Sequence, residues 1–208
     1  MTTPALSRRF AADLLARVVV GGLFGLLSIN LLTEFVQTQR PTGLLLLISE
    51  SLVVVLTVLR RRASIVDRSL GAAIVTGISL AGPVLLRTTH TPALLSDALT
   101  AAVSAIGLIV VIAGKMTLGR SFGIAPANRG VVIAGPYGVV RHPIYAGYVL
   151  THVGFACAYP TAWNVVLVIL TDAALMVRAL YEERVLAKDG TYQLYCRRVA
   201  WHVLPGVF

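Results

Sequence analysis

The side chains best suited to chemistry form two groups in the second half of the chain. They are Arg141, His142 and Tyr145 in the first group and Arg178, Glu182 and Glu183 in the second. Residues three or four positions apart share a helix face, so His142 pairs with Tyr145 and Arg178 with Glu182. Cations beside carboxylates suit a zwitterionic ligand, which carries one carboxylate and one ammonium group. The alternative is an ordinary salt bridge between Arg178 and Glu182, with the first group at the level of the lipid headgroups.

The uncharged stretch Pro143–Thr171 separates the two groups. It is too long for one membrane span and contains a break at Tyr159-Pro160-Thr161, so we predict a helical hairpin whose return helix continues as Asp172–Leu186. Antiparallel helices joined by a tight turn bring their far ends together. The two reactive groups therefore converge at one membrane face, beside a helix N-terminus that starts at Pro143 and attracts anions.

The composition excludes a typical soluble enzyme. Hydrophobic residues make up 57% of the 208 residues, charged residues make up 13%, and the mean hydropathy is +0.82. Together with the hairpin, the apolar windows predict an all-α, polytopic membrane bundle of about six transmembrane helices. The four windows before the hairpin are Val18–Thr33, Pro41–Leu59, Ser69–Leu86 and Ala98–Gly114.

The distribution of basic residues predicts the topology. Of the 18 Lys and Arg residues, only Arg40 and Arg87 fall in loops on the outer side when the N-terminus is inside. By the positive-inside rule, Lys115–His142 and the tail after Arg178 face the cytoplasm. This pattern is typical of a bacterial inner membrane protein, and it puts both reactive groups on the cytoplasmic side.

Two kinds of partner are excluded. The net charge of +9 is spread between apolar segments, whereas a nucleic-acid-binding face is contiguous, so we expect no nucleic acid partner. The histidines show no metal-ligand spacing and neither cysteine belongs to a CxxC pair, so we expect no metal site.

The chain divides into a four-helix membrane bundle, residues 1–114, and a loop, hairpin and tail, residues 115–208. Glu50 is anomalous within an apolar window. It is either an internally paired or protonated packing residue or part of a substrate pocket. In the tail, Gly190–Phe208 is expected to form an amphipathic interfacial helix ended by Pro205. Its apolar stripe is Tyr192, Tyr195, Cys196 and Val199.

Three motifs of the second half resemble a known family. The motifs are Gly135-Pro136-Tyr137, the run Arg141-His142-Pro143-Ile144-Tyr145-Ala146-Gly147 and, after the hairpin, Glu182-Glu183. They closely resemble the HPxYxG to EE signature of the isoprenylcysteine carboxyl methyltransferases and their phospholipid methyltransferase relatives. The resemblance extends upstream to Leu118–Phe122 and downstream into the tail.

The resemblance implies that S-adenosylmethionine binds at the cytoplasmic face and leaves as S-adenosylhomocysteine. It also implies roles for individual residues, with Glu183 as the partner of the cofactor's ammonium group and Arg141 and Arg178 orienting a substrate carboxylate. Since Glu182 is placed to pair with Arg178, we expect Glu183 to lack a protein cation and to need a cationic ligand. The implied cofactor contacts besides Glu183 are Pro136, Tyr137, Val140, His142 and Tyr145.

The sequence leaves the methyl acceptor open. A carboxylate nucleophile needs no base, whereas an amine or a thiol needs one, for which Glu182, Glu183 and Tyr145 are the candidates. Lipid carboxylates, isoprenoid acids, phospholipid amines and volatile thiols all fit as acceptors. The other functions considered are an NADPH-dependent sterol or enone reductase, which shares features of the C-terminal helices, and a non-enzymatic scaffold or transporter.

Overall fold

A computed structural model describes residues 41–87 and 91–207, together with groups of one to three helical positions between Leu14 and Val36. The predicted first span, Val18–Thr33, is described only at such positions, so its course lies outside the described residues. The described part of the chain is mostly helical, which confirms the predicted fold class at that level. Its helices are α1 (Pro41–Leu59), α2 (Leu70–Ala81), α3 (Asp97–Leu118), α4 (Pro143–Ala158), α5 (Ala162–Leu186) and α6 (Gly190–Arg198).

Local sequence signals explain where these helices begin. Ser69, Ser96 and Thr161 cap α2, α3 and α5 by accepting a hydrogen bond from a backbone N–H of the first turn. Asp189 caps α6 in the same way, and α4 begins at Pro143, which has no N–H to satisfy.

Two helical segments in the described part of the chain are long and apolar enough to cross a membrane, Asp97–Ser121 and Ala162–Leu186. The predicted span Ser69–Leu86 is interrupted, because α2 ends at Ala81 and a 3₁₀ turn follows at Pro83–Leu85. Proline cannot continue the hydrogen-bond ladder of an α-helix, so Gly82-Pro83 ends it. The total of about six spans and the membrane hairpin stay predictions.

Glycines bring α3 and α4 into close contact. A Cβ atom added to Gly107 of α3 would lie 2.6 Å from the carbonyl oxygen of Gly147 in α4. A Cβ atom on Gly154 would lie 2.4 Å from Ser104 Oγ, so larger residues at these positions would separate the helices. Small residues at helix interfaces permit such approach within membranes. This packing fixes the start of α4, where the first reactive group lies.

Lys115 lies inside a helix, so the prediction that a loop begins at this residue is wrong. Helix α3 continues to Leu118, and the Lys115 side chain is fully buried against α1. Its Nζ donates to the carbonyl oxygen and the Oγ of Ser49, at 2.9 and 2.8 Å, and lies 3.6 Å from Glu50 Oε1. A carboxylate inside an apolar bundle requires a counter-charge, and Lys115 supplies it. Of the two interpretations of Glu50, the structure therefore supports internal pairing.

The loop between α1 and α2 braces the irregular segment that follows α3. Strands β1 (Ile65–Val66) and β2 (Ala127–Asn128) pair antiparallel, and Arg61 N donates to Arg120 O at 2.7 Å. Asn128 also donates from Nδ2 to Asp189 Oδ2 at 3.1 Å, which ties the segment to the N-terminus of α6. This hydrogen bond lowers the pKa of Asp189, because it stabilises the carboxylate.

The apolar stripe of the tail is confirmed, but it packs against other parts of the protein, whereas an interfacial helix was expected to lay it on the membrane. Tyr192, Tyr195 and Val199 are buried and pack against Val131 and Leu186. The protein itself therefore covers this face of α6.

The tail helix ends at Arg198, so the prediction that Pro205 ends it is wrong. The backbone that follows is used for tertiary contacts instead of helical hydrogen bonds. Arg141 N donates to Trp201 O at 2.9 Å, and His142 N donates to His202 O at 2.7 Å. The tail is thereby fastened to the residues that precede α4.

Candidate active site

A cavity of about 110 Å³ lies where the start of α4 meets the end of α5. One wall is the irregular segment after α3, from Ser121 to Gly130. The opposite walls carry five of the predicted reactive or cofactor-binding side chains. These are Tyr137, Arg141, His142, Tyr145 and Glu182. The convergence predicted from the two groups is thus present in the structure.

Glu182 is the acidic residue among those that line this cavity. Tyr145 Oη donates to Glu182 Oε1 at 2.5 Å, and Arg178 Nε lies 3.4 Å from the same oxygen. The predicted pair between Arg178 and Glu182 is confirmed. His142 stacks on Tyr145 with ring centroids 5.3 Å apart, as their shared helix face predicts, and its Nδ1 lies 3.7 Å from Glu182 Oε2.

Glu183 has three protein partners, so the expectation that it lacks a protein cation is wrong. Its Oε2 accepts from Arg141 Nη1 at 3.0 Å. Its Oε1 lies 3.0 Å from His142 Nε2 and 2.6 Å from His202 Nδ1. The carboxylate of Glu183 thus joins the end of α5 to the start of α4 and to the tail, and Glu183 is not among the residues that line the cavity.

The two arginines predicted to orient a substrate carboxylate are held by protein groups. Arg141 donates from Nε to Val199 O at 2.8 Å and from Nη2 to Cys196 O at 3.2 Å, besides its bond to Glu183. Arg178 is buried behind the Tyr145 ring, with its Cζ 5.3 Å from the ring centroid. Its terminal nitrogens donate to Ser79 Oγ and Ile124 O. Arg178 does not line the cavity.

Tyr137 lies in the cavity wall, whereas Pro136 and Val140 line a separate apolar groove of about 410 Å³ between α3, α4 and the tail. Tyr195 Oη donates to the carbonyl oxygen of Tyr137 at 2.7 Å and holds this turn in place. Burial raises the pKa of Tyr137 far above its usual range and that of Tyr195 to about 12. Both phenols are therefore protonated at neutral pH and can donate hydrogen bonds.

Sequence reasoning missed Arg129 and His202 as residues of the site. Arg129 stands in the run Asn128-Arg129-Gly130, whose residue types are typical of a turn, and Gly130 adopts a positive φ of 104°. The turn carries the Arg129 side chain into the cavity wall. His202 reaches Glu183 only because the tail returns to α4, and no local signal in the sequence indicates this.

Residues 93–192 match the family model described as phospholipid methyltransferase. No curated protein shows significant similarity to the chain. The matched segment contains α3, α4, α5 and every residue that lines the cavity. It leaves out the α1–α2 loop, which braces the cavity wall, and the part of the tail that carries His202. The match confirms the resemblance that the HPxYxG motif and the Glu182-Glu183 pair predict, because over this segment, just under half of the chain, the sequence is similar to the phospholipid methyltransferase family.

Proposed function

We propose that the protein is an integral membrane methyltransferase that uses S-adenosylmethionine and methylates a lipophilic acceptor, as isoprenylcysteine carboxyl methyltransferases do. One observation carries the proposal. The cavity of the family segment combines a carboxylate, arginines and aromatic rings at the cytoplasm-facing ends of apolar helices, where the topology prediction puts them. A water-soluble cofactor and a membrane-dissolved acceptor can meet only at such a boundary.

The cavity suits the charges of S-adenosylmethionine, whose methionine part is a zwitterion. Tyr137, His142 and Tyr145 offer aromatic faces and hydrogen bonds to it. We assign the ammonium group to Glu182, because this residue lines the cavity and a carboxylate has about four acceptor sites, of which its protein partners use only part. Glu183, for which the resemblance implies this role, instead holds Arg141 and His142 in place. Pro136 and Val140 stay proposed contacts at the edge of the site.

The cofactor supplies an activated methyl group, so the protein has to position the acceptor and exclude water. Orientation of two reactants can contribute about 7–11 kcal/mol to lowering the barrier. A carboxylate acceptor requires no proton transfer, and this is the acceptor we favour. For an amine or a thiol, Glu182 is the base closest to the cavity, with Arg178 and Tyr145 holding it in place.

Glu182→Gln should weaken the binding of S-adenosylhomocysteine by about 10- to 100-fold. The reason is the loss of a charge-assisted hydrogen bond, worth about 1.5–3 kcal/mol. Isothermal titration of the purified protein in detergent measures the effect. A deamino analogue, which keeps the carboxylate but lacks the ammonium group, should bind the variant and the wild type equally. If the variant still prefers S-adenosylhomocysteine over the deamino analogue as strongly as the wild type does, Glu182 is not the ammonium partner.

The cytoplasmic orientation of the site has its own test. A cysteine introduced at Thr91 should react with a membrane-impermeant maleimide added to intact cells, because the topology puts this loop outside. A cysteine introduced at Ala63 should react only after the membrane is opened. Variants lacking Cys157 and Cys196 provide the background. Labelling at Ala63 in intact cells would rule out this orientation.

The acceptor can be identified directly. The purified protein is incubated with methyl-labelled S-adenosylmethionine and a total lipid extract, and the labelled products are analysed by mass spectrometry. A labelled methyl ester supports the carboxylate acceptor, whereas a labelled N-methyl or S-methyl product assigns one of the other acceptors. No labelled product from any lipid fraction, in a sample that binds S-adenosylhomocysteine, would contradict a lipophilic acceptor.

A further inference from the structure

A buried histidine and a carboxylate face each other between α4 and α5, away from the cavity. His152 Nδ1 lies 2.6 Å from Asp172 Oδ1, and the two side chains are 7% and 19% exposed. Asp172 lies near the middle of α5, a helix long and apolar enough to cross a membrane. His152 follows the start of α4 at Pro143 by about 14 Å along the helix axis. In the topology that we predict, this pair therefore lies at mid-membrane depth.

An aromatic stripe on α4 joins the pair to the cavity. Its members share one helix face, because each follows the one before it by three or four residues, and they are His142, Tyr145, Tyr148 and His152. His142 stacks on Tyr145, and Tyr148 stacks on His152 with ring centroids 6.3 Å apart. Tyr145 contacts Glu182 of α5 at the cavity, and His152 contacts Asp172 of α5 deeper in the bundle. From Tyr145 to His152 the stripe covers about 10 Å.

The outer atoms of the pair have no protein partner. Among the described residues, none forms a hydrogen bond with His152 Nε2 or with Asp172 Oδ2. Ionisable groups are costly inside a membrane, and buried polar atoms without a hydrogen bond add to the cost. A pair that only joined α4 to α5 would keep this cost, whereas a polar group of a bound lipid would remove it. The partial exposure of Asp172 leaves the pair open on one side.

We propose that His152 and Asp172 bind a hydroxyl group in the hydrocarbon part of the acceptor lipid. A hydroxyl group suits this pair, because it donates to a carboxylate or to a neutral imidazole nitrogen and accepts from a protonated one. The reactive end of the acceptor lies at the cavity, about 10 Å away along α4. The proposal rests on the proposed function and specifies its acceptor as a long-chain carboxylate with a hydroxyl group near the middle of the chain.

The test measures the binding of two radiolabelled lipids to the full chain in nanodiscs. One is hydroxystearate with its hydroxyl group near the middle of the chain, and the other is stearate at the same mole fraction in the bilayer. The wild type should bind this hydroxystearate about 10-fold more tightly, because its hydroxyl group gains a hydrogen bond to the pair. Hydroxystearate with the hydroxyl group next to the carboxylate should bind no better than stearate. Equal binding of mid-chain hydroxystearate and stearate, or no binding of either, overturns the proposal.

A double variant separates lipid binding from helix packing. His152→Phe with Asp172→Leu replaces the whole pair with apolar residues, an exchange that is often neutral or stabilising. The double variant should bind both lipids as the wild type binds stearate, and it should keep its affinity for S-adenosylhomocysteine. Asn164→Leu is the control, because it removes a different buried polar side chain, which joins α5 to the backbone of Arg87. This control should keep the preference for hydroxystearate. If the double variant keeps the preference, or if Asn164→Leu also loses it, the proposal is wrong.

Failure of the proposed function gives a different result. Lipid binding is measured without the cofactor, so it tests the pair independently of methyl transfer. If both proposals hold, the wild type should convert mid-chain hydroxystearate into its methyl ester with a kcat/KM about 10-fold above that for stearate. A wild type that binds hydroxystearate preferentially but methylates neither lipid would confirm the lipid site and contradict the carboxylate acceptor.

Discussion

Lys115→Met should destabilise the protein by about 3–5 kcal/mol, the usual cost of removing one partner from a buried ion pair. The ammonium group is fully buried and is bound by Ser49 and Glu50 of α1. Without it, the Glu50 carboxylate stays in an apolar bundle with no counter-charge. For a protein of this size the loss corresponds to a fall in the unfolding temperature of roughly 6–20 °C, measured in detergent by scanning fluorimetry.

The double variant Lys115→Met, Glu50→Leu separates the two interpretations of Glu50. Replacing a whole buried ion pair with apolar residues is often neutral or stabilising, so the double variant should regain most of the lost stability. It should also retain methyl transfer if Glu50 serves only packing. A double variant as unstable as the single one would show that Lys115 acts mainly through Ser49. If the double variant recovers stability but not methyl transfer, Glu50 is part of a substrate pocket.

Helix positions were predictable where the signal is local. The apolar runs and the capping residues Ser96 and Thr161 lie within a few positions of the helix starts that they determine. Lys115 was misinterpreted because a lysine that follows an apolar run normally marks the membrane boundary. Its partners Ser49 and Glu50 lie on another helix, and only the packing of α1 against α3 brings them together.

At the site, contacts between neighbours on one helix were also predictable, and contacts between residues far apart in the sequence were not. His142 with Tyr145 and Arg178 with Glu182 follow from helical spacing, and the structure confirms both contacts. The partners of Glu183 depend on the return of the tail, which contributes His202. Helical spacing could predict that Glu182 and Glu183 point in different directions. It could not predict which of the two directions opens into the cavity.

Glu183→Ala should detach the tail from the start of α4 and lower stability by about 3 kcal/mol. This loss is at the lower end of the range for breaking a buried ion pair, because the two side chains are not fully buried. The side chain of Glu183 is 14% exposed to solvent and that of Arg141 is 12% exposed. Arg141 and His202 lose their common carboxylate, and the bonds of Arg141 to Val199 and Cys196 weaken with it. The loosened tail should make the half-buried Cys196 more reactive.

Cys196 reports this change because burial raises the pKa of its thiol, and exposure should return the pKa toward its usual value. Maleimide labelling in a Cys157→Ser background should therefore be faster in Glu183→Ala than in the parent protein at neutral pH. Glu182→Gln, which alters the neighbouring carboxylate at the cavity, should weaken cofactor binding and leave Cys196 protected. If instead Glu183→Ala leaves Cys196 protected and loses affinity only for ligands with an ammonium group, Glu183 is the cofactor's partner, as the family resemblance implies, and its contacts to Arg141 and His202 are secondary.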